Sequence, residues 1–415
     1  MTDRDAAPLN TEQGGGAKKA HRVVAQVFAG LGLNMFPAIF IAIYARIAPI
    51  EEQGLLALSL AVGVYIAQLI NAFFVEGALA TPDADHDLCL PTWTALFCTV
   101  AAALLIVGAP VKHPAILMVS TTGLMSGLLV ARTIGVVTDR WKQELAAATV
   151  LIAASLVALV LSHQHSEHCV RVLGAGTGAA ILLRYWPRTA TGRAGIPPDI
   201  RRSSWVTAET AVVGAVYPII TSLFLSIAGP AAAVSFRVIW SVAGALEPIL
   251  AYGRYRLLAH GHRGEFGSIA AVFTAGLAAV LIAAFSGFGQ LVFGPAWAGV
   301  GVTAVVFACL LKGLVLIDNV PFAALRKAGE TALAFWVRAA SSVLYLLLGV
   351  WFLLAFRSVS AVFLAFILAE LFTIVLYHLV ARKAAPDYGI SLRRGNPSTG
   401  PASAIHLPDP RADER

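Results

Sequence analysis

Several ionisable side chains stand well inside stretches that are otherwise apolar, among them Arg237, Glu247, Lys312, Asp318, Arg338 and Glu370. A charge held away from water is costly, so each needs a partner, a wet cavity or a task. Counted along a helix at about 1.5 Å per residue, Lys312 and Glu370 fall at one depth near the middle of their segments. Asp318 and Arg338 match each other nearer one end. Two readings of these pairs stay open, as ion pairs that tie helices together or as groups lining a lumen. Glu247, Asp318 and Glu370 are the candidates for a coupling ion or proton. Arg237 has no carboxylate at its own depth, so it is the candidate for gripping an anion through two parallel hydrogen bonds. Lys312, Arg338 and the uncharged Asn34 complete the candidate cavity lining, with Gln68 and Asn71 as further polar groups in the first half.

Other chemistry is not signalled. The sequence has no HExxH, no GxSxG and no Walker motif, so neither an enzyme nor a cofactor is expected. His163, His165, His168 and Cys169 crowd one loop, but their spacing fits no standard metal site, and no metal is expected. Gly174, Gly176 and Gly178 lack the Lys of a phosphate loop and lie in an apolar segment, where small residues serve close helix packing. Cys89, Cys98, Cys169 and Cys309 form no CxxC pair, and no disulfide framework is expected.

The elements that must position these groups follow from composition. Of 415 residues, 58% are hydrophobic and 13% charged, and the mean hydropathy is +0.77. Soluble domains carry about 25% charged residues, so a water-soluble enzyme is excluded. The fold class is an all-α integral membrane protein. Apolar runs predict twelve spans, over 23–45, 54–74, 90–111, 115–136, 145–162, 172–183, 206–228, 231–252, 269–288, 299–321, 333–356 and 359–381. They divide into a tail (1–22), an N-lobe (23–183), a linker (184–205), a C-lobe (206–381) and a solvated tail (382–415). No signal peptide is read at the N-terminus, and the first span is expected to be retained.

Charge sets the orientation. Of the 30 Lys and Arg residues, 23 fall on one side of these spans when Arg132, near the end of its span, is counted with its loop, four on the other (Arg46, Lys112, Arg171, Arg357) and three deeper inside. Positive loops stay inside, so both termini are expected in the cytoplasm. The net charge of +7 then records loop topology and anionic lipid, and no nucleic-acid partner is expected. The outward loops are too short for a folded domain. The Pro- and Arg-rich linker falls near the chain midpoint, as a hinge between two lobes would.

A repeat supports that division. Phe36-Pro37 is followed twelve residues on by Pro49, and Tyr217-Pro218 by Pro230 at the same interval. Both copies run in the same direction, so their axis lies along the membrane normal. Proline inside a span frees a backbone carbonyl and lets the helix bend.

Several stretches together resemble a known family. Ala29-Gly30 through Ile43-Tyr44-Ala45-Arg46-Ile47, then Glu51-Glu52-Gln53-Gly54-Leu55-Leu56-Ala57-Leu58, resembles a Gly-rich helix, a "yaR" exit and an acidic turn. Gln53 stands where that pattern carries Phe or Tyr. Phe293-Gly294-Pro295-Ala296-Trp297 resembles an "fG-x-x-W" turn, Ser235-Phe236-Arg237 a helix-eight stretch, and Ala323-Ala324-Leu325-Arg326-Lys327-Ala328-Gly329 the stretch before helix eleven. The set is similar to the polysaccharide-type flippases, the Wzx-like branch of the MOP (multidrug/oligosaccharidyl-lipid/polysaccharide) exporter superfamily.

The resemblance implies a MOP/MATE-like arrangement of about twelve helices in two six-helix lobes around a central, partly cationic cavity. It implies translocation of a lipid-linked saccharide by alternating access in a bacterial plasma membrane. Its partners would be that substrate, the surrounding lipids and glycan-assembly enzymes. The alternatives are an ion-coupled drug or cation antiporter of the same superfamily, a peptidoglycan-precursor flippase and, more remotely, a membrane-embedded glycan polymerase or ligase.

Overall fold

A computed structural model describes residues 29–30, 32, 35–76, 92–108, 113–137, 140–164, 166, 168–185, 200–260, 266–328 and 330–384. Among these residues all regular structure is helical. The first half contributes α1 (Met35–Ile47), α2 (Ile50–Asn71), α3 (Thr92–Gly108), α4 (Pro114–Val137), α5 (Trp141–Ser162) and α6 (His168–Tyr185). The second half contributes α7 (Ile200–Leu223), α8 (Pro230–Ala243), α9 (Glu247–His260), α10 (Phe266–Phe285) and α11 (Phe288–Phe293). It ends with α12 (Val302–Lys327), α13 (Thr331–Phe356) and α14 (Val359–Ala384).

Helix is the form such runs take in hydrocarbon, because only an internal ladder satisfies every backbone N–H and C=O there. Among the described residues, eight helices are long and apolar enough to cross a membrane. The chain is a multi-pass membrane protein. Pro230–Ala251 counts as one such span although a 3-10 turn at Gly244–Leu246 separates α8 from α9 within it. The expected span over 269–288 overlaps α10, and a bend follows at its end. α10 stops at Phe285, and the chain turns by 66° into the short α11. Gly287 makes that turn at φ +84°, a left-handed conformation that side chains resist. Expected spans one and three coincide with shorter apolar helices, Met35–Ile47 and Phe97–Val107. α6 extends beyond the expected 172–183, so that Arg171 and Arg184 both lie within it.

The two copies of the proline repeat take parallel roles. Pro49 immediately precedes α2, and Pro230 opens α8, where its missing N–H costs nothing. Pro218 sits inside α7, and that helix ends in a π turn, Phe224–Ala228, before Gly229 at φ +90°.

Packing relies on small residues, since lipid tails compete for apolar surface as well as a neighbouring helix does. Gly63 lets α2 approach α4 so closely that an added Cβ would lie 3.1 Å from the Thr121 and Thr122 backbone. Gly176 of α6 meets Ala154 of α5 at 2.1 Å from the same imagined Cβ. α2 also packs on α7 and α8, which joins the halves. The first-half core accordingly includes Val234, Val238, Phe293 and Ala296 from the second half. The second-half core is built on Phe224, Phe236, Phe363 and Phe366. Outward, Val343, Leu347, Trp351 and Leu354 form an exposed apolar stripe along α13, as a lipid-facing surface requires.

One end of the bundle is marked by short connections. Residues 47–50 and 228–230 meet there, because Gly54 packs against Leu225 and Pro230. The end of α1, the end of α5 and the α10–α12 connection border one crevice at that same end.

Candidate functional site

The charged side chains of the second half come from six helices. Lys312 of α12 forms an ion pair with Glu247, the first residue of α9, and its ammonium stands 4.4 Å from the centroid of the Trp240 ring. The Lys312 side chain is 6% exposed, while that of Glu247 is 48% exposed. Glu370 is therefore not the direct contact of Lys312 that depth alone suggests, although the two charges still attract each other. Its carboxylate accepts a 2.6 Å hydrogen bond from the Tyr345 hydroxyl of α13. Depth places groups at one height, but the rotation of each helix decides which of them meet.

In the second expected pair Asp318 and Arg338 do attract each other electrostatically, but the closest ion-pair contact of Arg338 is on another helix. Arg338 of α13 lies 3.7 Å from Glu209 of α7, and its guanidinium covers the Phe322 ring at 4.3 Å. Asp318 is buried, and its Oδ1 has no hydrogen-bond partner. The next residue, Asn319, accepts a 3.3 Å hydrogen bond from Arg254 of α9. α9 thus holds α12 at two places, through Glu247 and Arg254.

Arg237 is enclosed. Its Nη1 donates a 2.6 Å hydrogen bond to the Tyr217 hydroxyl, and its guanidinium lies 5.2 Å from the Tyr217 ring. Phe236 and Trp240 stack on that same tyrosine at 5.6 and 4.9 Å. The residue is 4% exposed, and its Nε has no hydrogen-bond partner. Of the first-half polar set, Asn34 lies outside the described residues. Gln68 is exposed on α2 beside Gly214 of α7, where the halves meet. Asn71 donates to Glu76 at 3.1 Å.

The sequence reading missed Glu209, although an acid just inside an expected span was its signal. It also missed a buried cluster in the first half. Arg184 Nε lies 3.2 Å from Glu144 Oε1, with side chains 1% and 2% exposed. Gly135 makes room for that carboxylate, since a Cβ there would sit 2.3 Å from Glu144 Oε1. Each of these residues lies at the end of an expected span or just beyond it, which disguised them as headgroup-zone charges.

What this arrangement offers is polar contact inside the helical bundle. Paired cations and carboxylates link the helices of the second half, with Asp318 and Glu370 among the buried groups. Among the described residues no three His, Cys, Asp or Glu side chains converge as a metal site. Cys169 is buried, and His165 lies outside the described residues.

No family model and no curated protein matches the sequence. Among solved structures, an inward-facing multidrug resistance MATE family transporter of the MOP superfamily aligns at 11% identity. The alignment covers 89% of this chain and 96% of that one, with a TM-score of 0.47. A MOP superfamily transporter from Pyrococcus furiosus, described by the reverse polarity of its binding pocket, aligns at 12% identity and a TM-score of 0.41. It covers 89% and 96% of the two chains. A eukaryotic MATE transporter aligns at 12% identity over 90% and 99%, with a TM-score of 0.40. These scores lie too low to assign either a family or an activity to the chain.

Proposed function

We propose that the chain is a carrier that moves a lipid-linked saccharide across a bacterial plasma membrane by alternating access between its two halves. The observation that carries this reading is the set of charged side chains placed among the apolar helices of the second half. Arg237, Lys312, Arg338, Glu209, Glu247, Asp318 and Glu370 project from α7, α8, α9, α12, α13 and α14. A saccharide-diphosphate headgroup brings many hydroxyls and at least two negative charges, all costly to take through hydrocarbon. A path lined by guanidinium and ammonium groups lowers that cost, and exchanging one anionic partner for another lets the carboxylates release them. The short described connections at one end of the bundle leave no room for a catalytic outer domain, which disfavours a polymerase or ligase. With no nucleotide site in the sequence, the driving force is an ion gradient or removal of the product, and Asp318 and Glu370 are the groups placed to couple it.

One observation favours a second reading. Each named cation already has a partner: Lys312 has Glu247, Arg338 has Glu209, and Arg237 has Tyr217. Asp318 Oδ1 has none. A buried carboxylate with one oxygen free of hydrogen bonds, even with Arg338 and Arg254 nearby, suits a cation or proton, and so a cation-exporting antiporter. The test is the leaflet distribution of saccharide-lipids in cells lacking the protein, read with an impermeant sugar-oxidising reagent. The carrier reading predicts inner-leaflet accumulation that wild type relieves and that Arg237→Ala, at equal expression, does not. An unchanged distribution together with new sensitivity to cationic drugs favours the antiporter.

A further inference from the structure

Two sequence motifs far apart in the chain meet at the short-loop end through one side chain. Arg46, one residue before the end of α1, donates from Nη1 to the Val292 carbonyl at 2.8 Å and from Nη2 to the Leu291 carbonyl at 2.7 Å. The same Nη1 reaches back to the Ala42 carbonyl of its own helix at 2.6 Å. Leu291 and Val292 belong to the last turn of α11, whose carbonyls have no further helical N–H to accept from. One guanidinium thus caps the carbonyl ends of a first-half helix and a second-half helix together, where the helix dipole favours a cation.

The partner segment is shaped to receive it. Gly294 follows at φ +54° and ψ −128°, a conformation open in practice only to glycine. A Cβ there would lie 3.2 Å from the guanidinium carbon. Phe293 and Ala296 are buried in the first-half core. Trp297 stacks on Phe293 at 5.9 Å and closes over Gly289. Residues 288–297 therefore dock into the first half as a plug. Beside it a crevice of about 560 Å³, bordered by Arg46, His163, Gln290 and Gly294, remains open to the surface.

We infer that Arg46 and the 288–297 plug form a latch that holds the short-loop ends of the two halves closed and must release for that face to open. The inference rests on the alternating-access reading above. A guanidinium suits a latch because its planar fork engages two carbonyls on one side while a third bond anchors it, a geometry that the single ammonium of lysine does not reproduce. The bonds are half exposed, so water can replace them when the halves part.

The test is hydrogen exchange of the full chain in lipid nanodiscs, comparing wild type with Arg46→Ala and Arg46→Lys. The latch predicts amide exchange in 288–300 faster by about tenfold in Arg46→Ala, the effect of losing charge-assisted bonds. Arg46→Lys should fall between, and peptides from the α4–α5 and α6 ends around Glu144 and Arg184 should not change. Exchange at the wild-type rate in 288–300 overturns the latch. So does acceleration spread evenly over the chain in both variants, since Arg46 would then be holding the whole fold. A local acceleration in a protein that moves no saccharide leaves the latch standing and removes the carrier reading, so the two failures are separable.

Discussion

Removing the Glu144 carboxylate tests how the first half is held together. Glu144 and Arg184 lie 3.2 Å apart with side chains 2% and 1% exposed. At that distance and an effective dielectric of about 20, their attraction is about 5 kcal/mol. Withdrawing both ions from water offsets most of it, so the intact pair is worth little against two apolar residues. Losing one partner is different. Arg184 Nη1 and Nη2 have no hydrogen-bond partner, so Glu144→Ala leaves a buried guanidinium with its closest counter-charge gone, at a cost of about 3–5 kcal/mol. Arg184→Ala should cost a similar amount. The double replacement Glu144→Gln with Arg184→Met should cost less than either single change, because neither member of the deeply buried pair is then left as a bare ion. The assay is reversible unfolding in mixed micelles titrated with dodecyl sulfate, with a double-mutant cycle built from the midpoints. Single changes below about 1 kcal/mol, or a double loss equal to their sum, would refute the reasoning.

Three further outcomes follow from the packing. Gly135→Ala places a methyl where Glu144 Oε1 now sits, so it should cost about 1–3 kcal/mol in the same titration and distinctly less in the Glu144→Ala background. Tyr345→Phe removes the hydroxyl that bonds the buried Glu370, a loss of about 1.5–3 kcal/mol that should vanish when Glu370→Leu is already present. Lys312→Met should lower stability by under about 1 kcal/mol, because its partner Glu247 is half exposed and can be solvated. The same variant should nevertheless slow transport in vesicles; if it transports at the wild-type rate, Lys312 belongs to the scaffold alone.

Sequence periodicity located the helices because twenty-residue apolar runs have one backbone solution in hydrocarbon. Pro49 and Pro230 were readable as helix openings for an equally local reason, their fixed φ and missing N–H. What depth counting missed was rotation. Lys312 and Glu370 share a height, yet α12 turns its lysine toward Glu247 and α14 turns Glu370 toward Tyr345. A hundred degrees per residue separates neighbours on a helix, so an error of one position in register misassigns a partner. Gly287 was a visible glycine at the end of an apolar run, but only its left-handed conformation shows that the chain bends there from α10 into α11. Glu144 and Arg184 were masked by their places at span ends, where a charge ordinarily reaches water. Arg46 and Leu291 lie 245 residues apart, a separation no local pattern bridges, although each motif was distinct by itself.

The most direct measurement is flipping by the purified protein in proteoliposomes that carry a dye-labelled polyprenyl-diphosphate saccharide. Dithionite reduces only dye in the outer leaflet, so protein-free vesicles lose the outer half of their fluorescence. The carrier account predicts that wild type lets reduction proceed beyond that half towards completion, and that Arg237→Ala and Lys312→Met slow the second phase. Reduction that stops at the outer half with wild type present, in vesicles that do move an organic cation against a proton gradient, would contradict the account and leave the antiporter in its place.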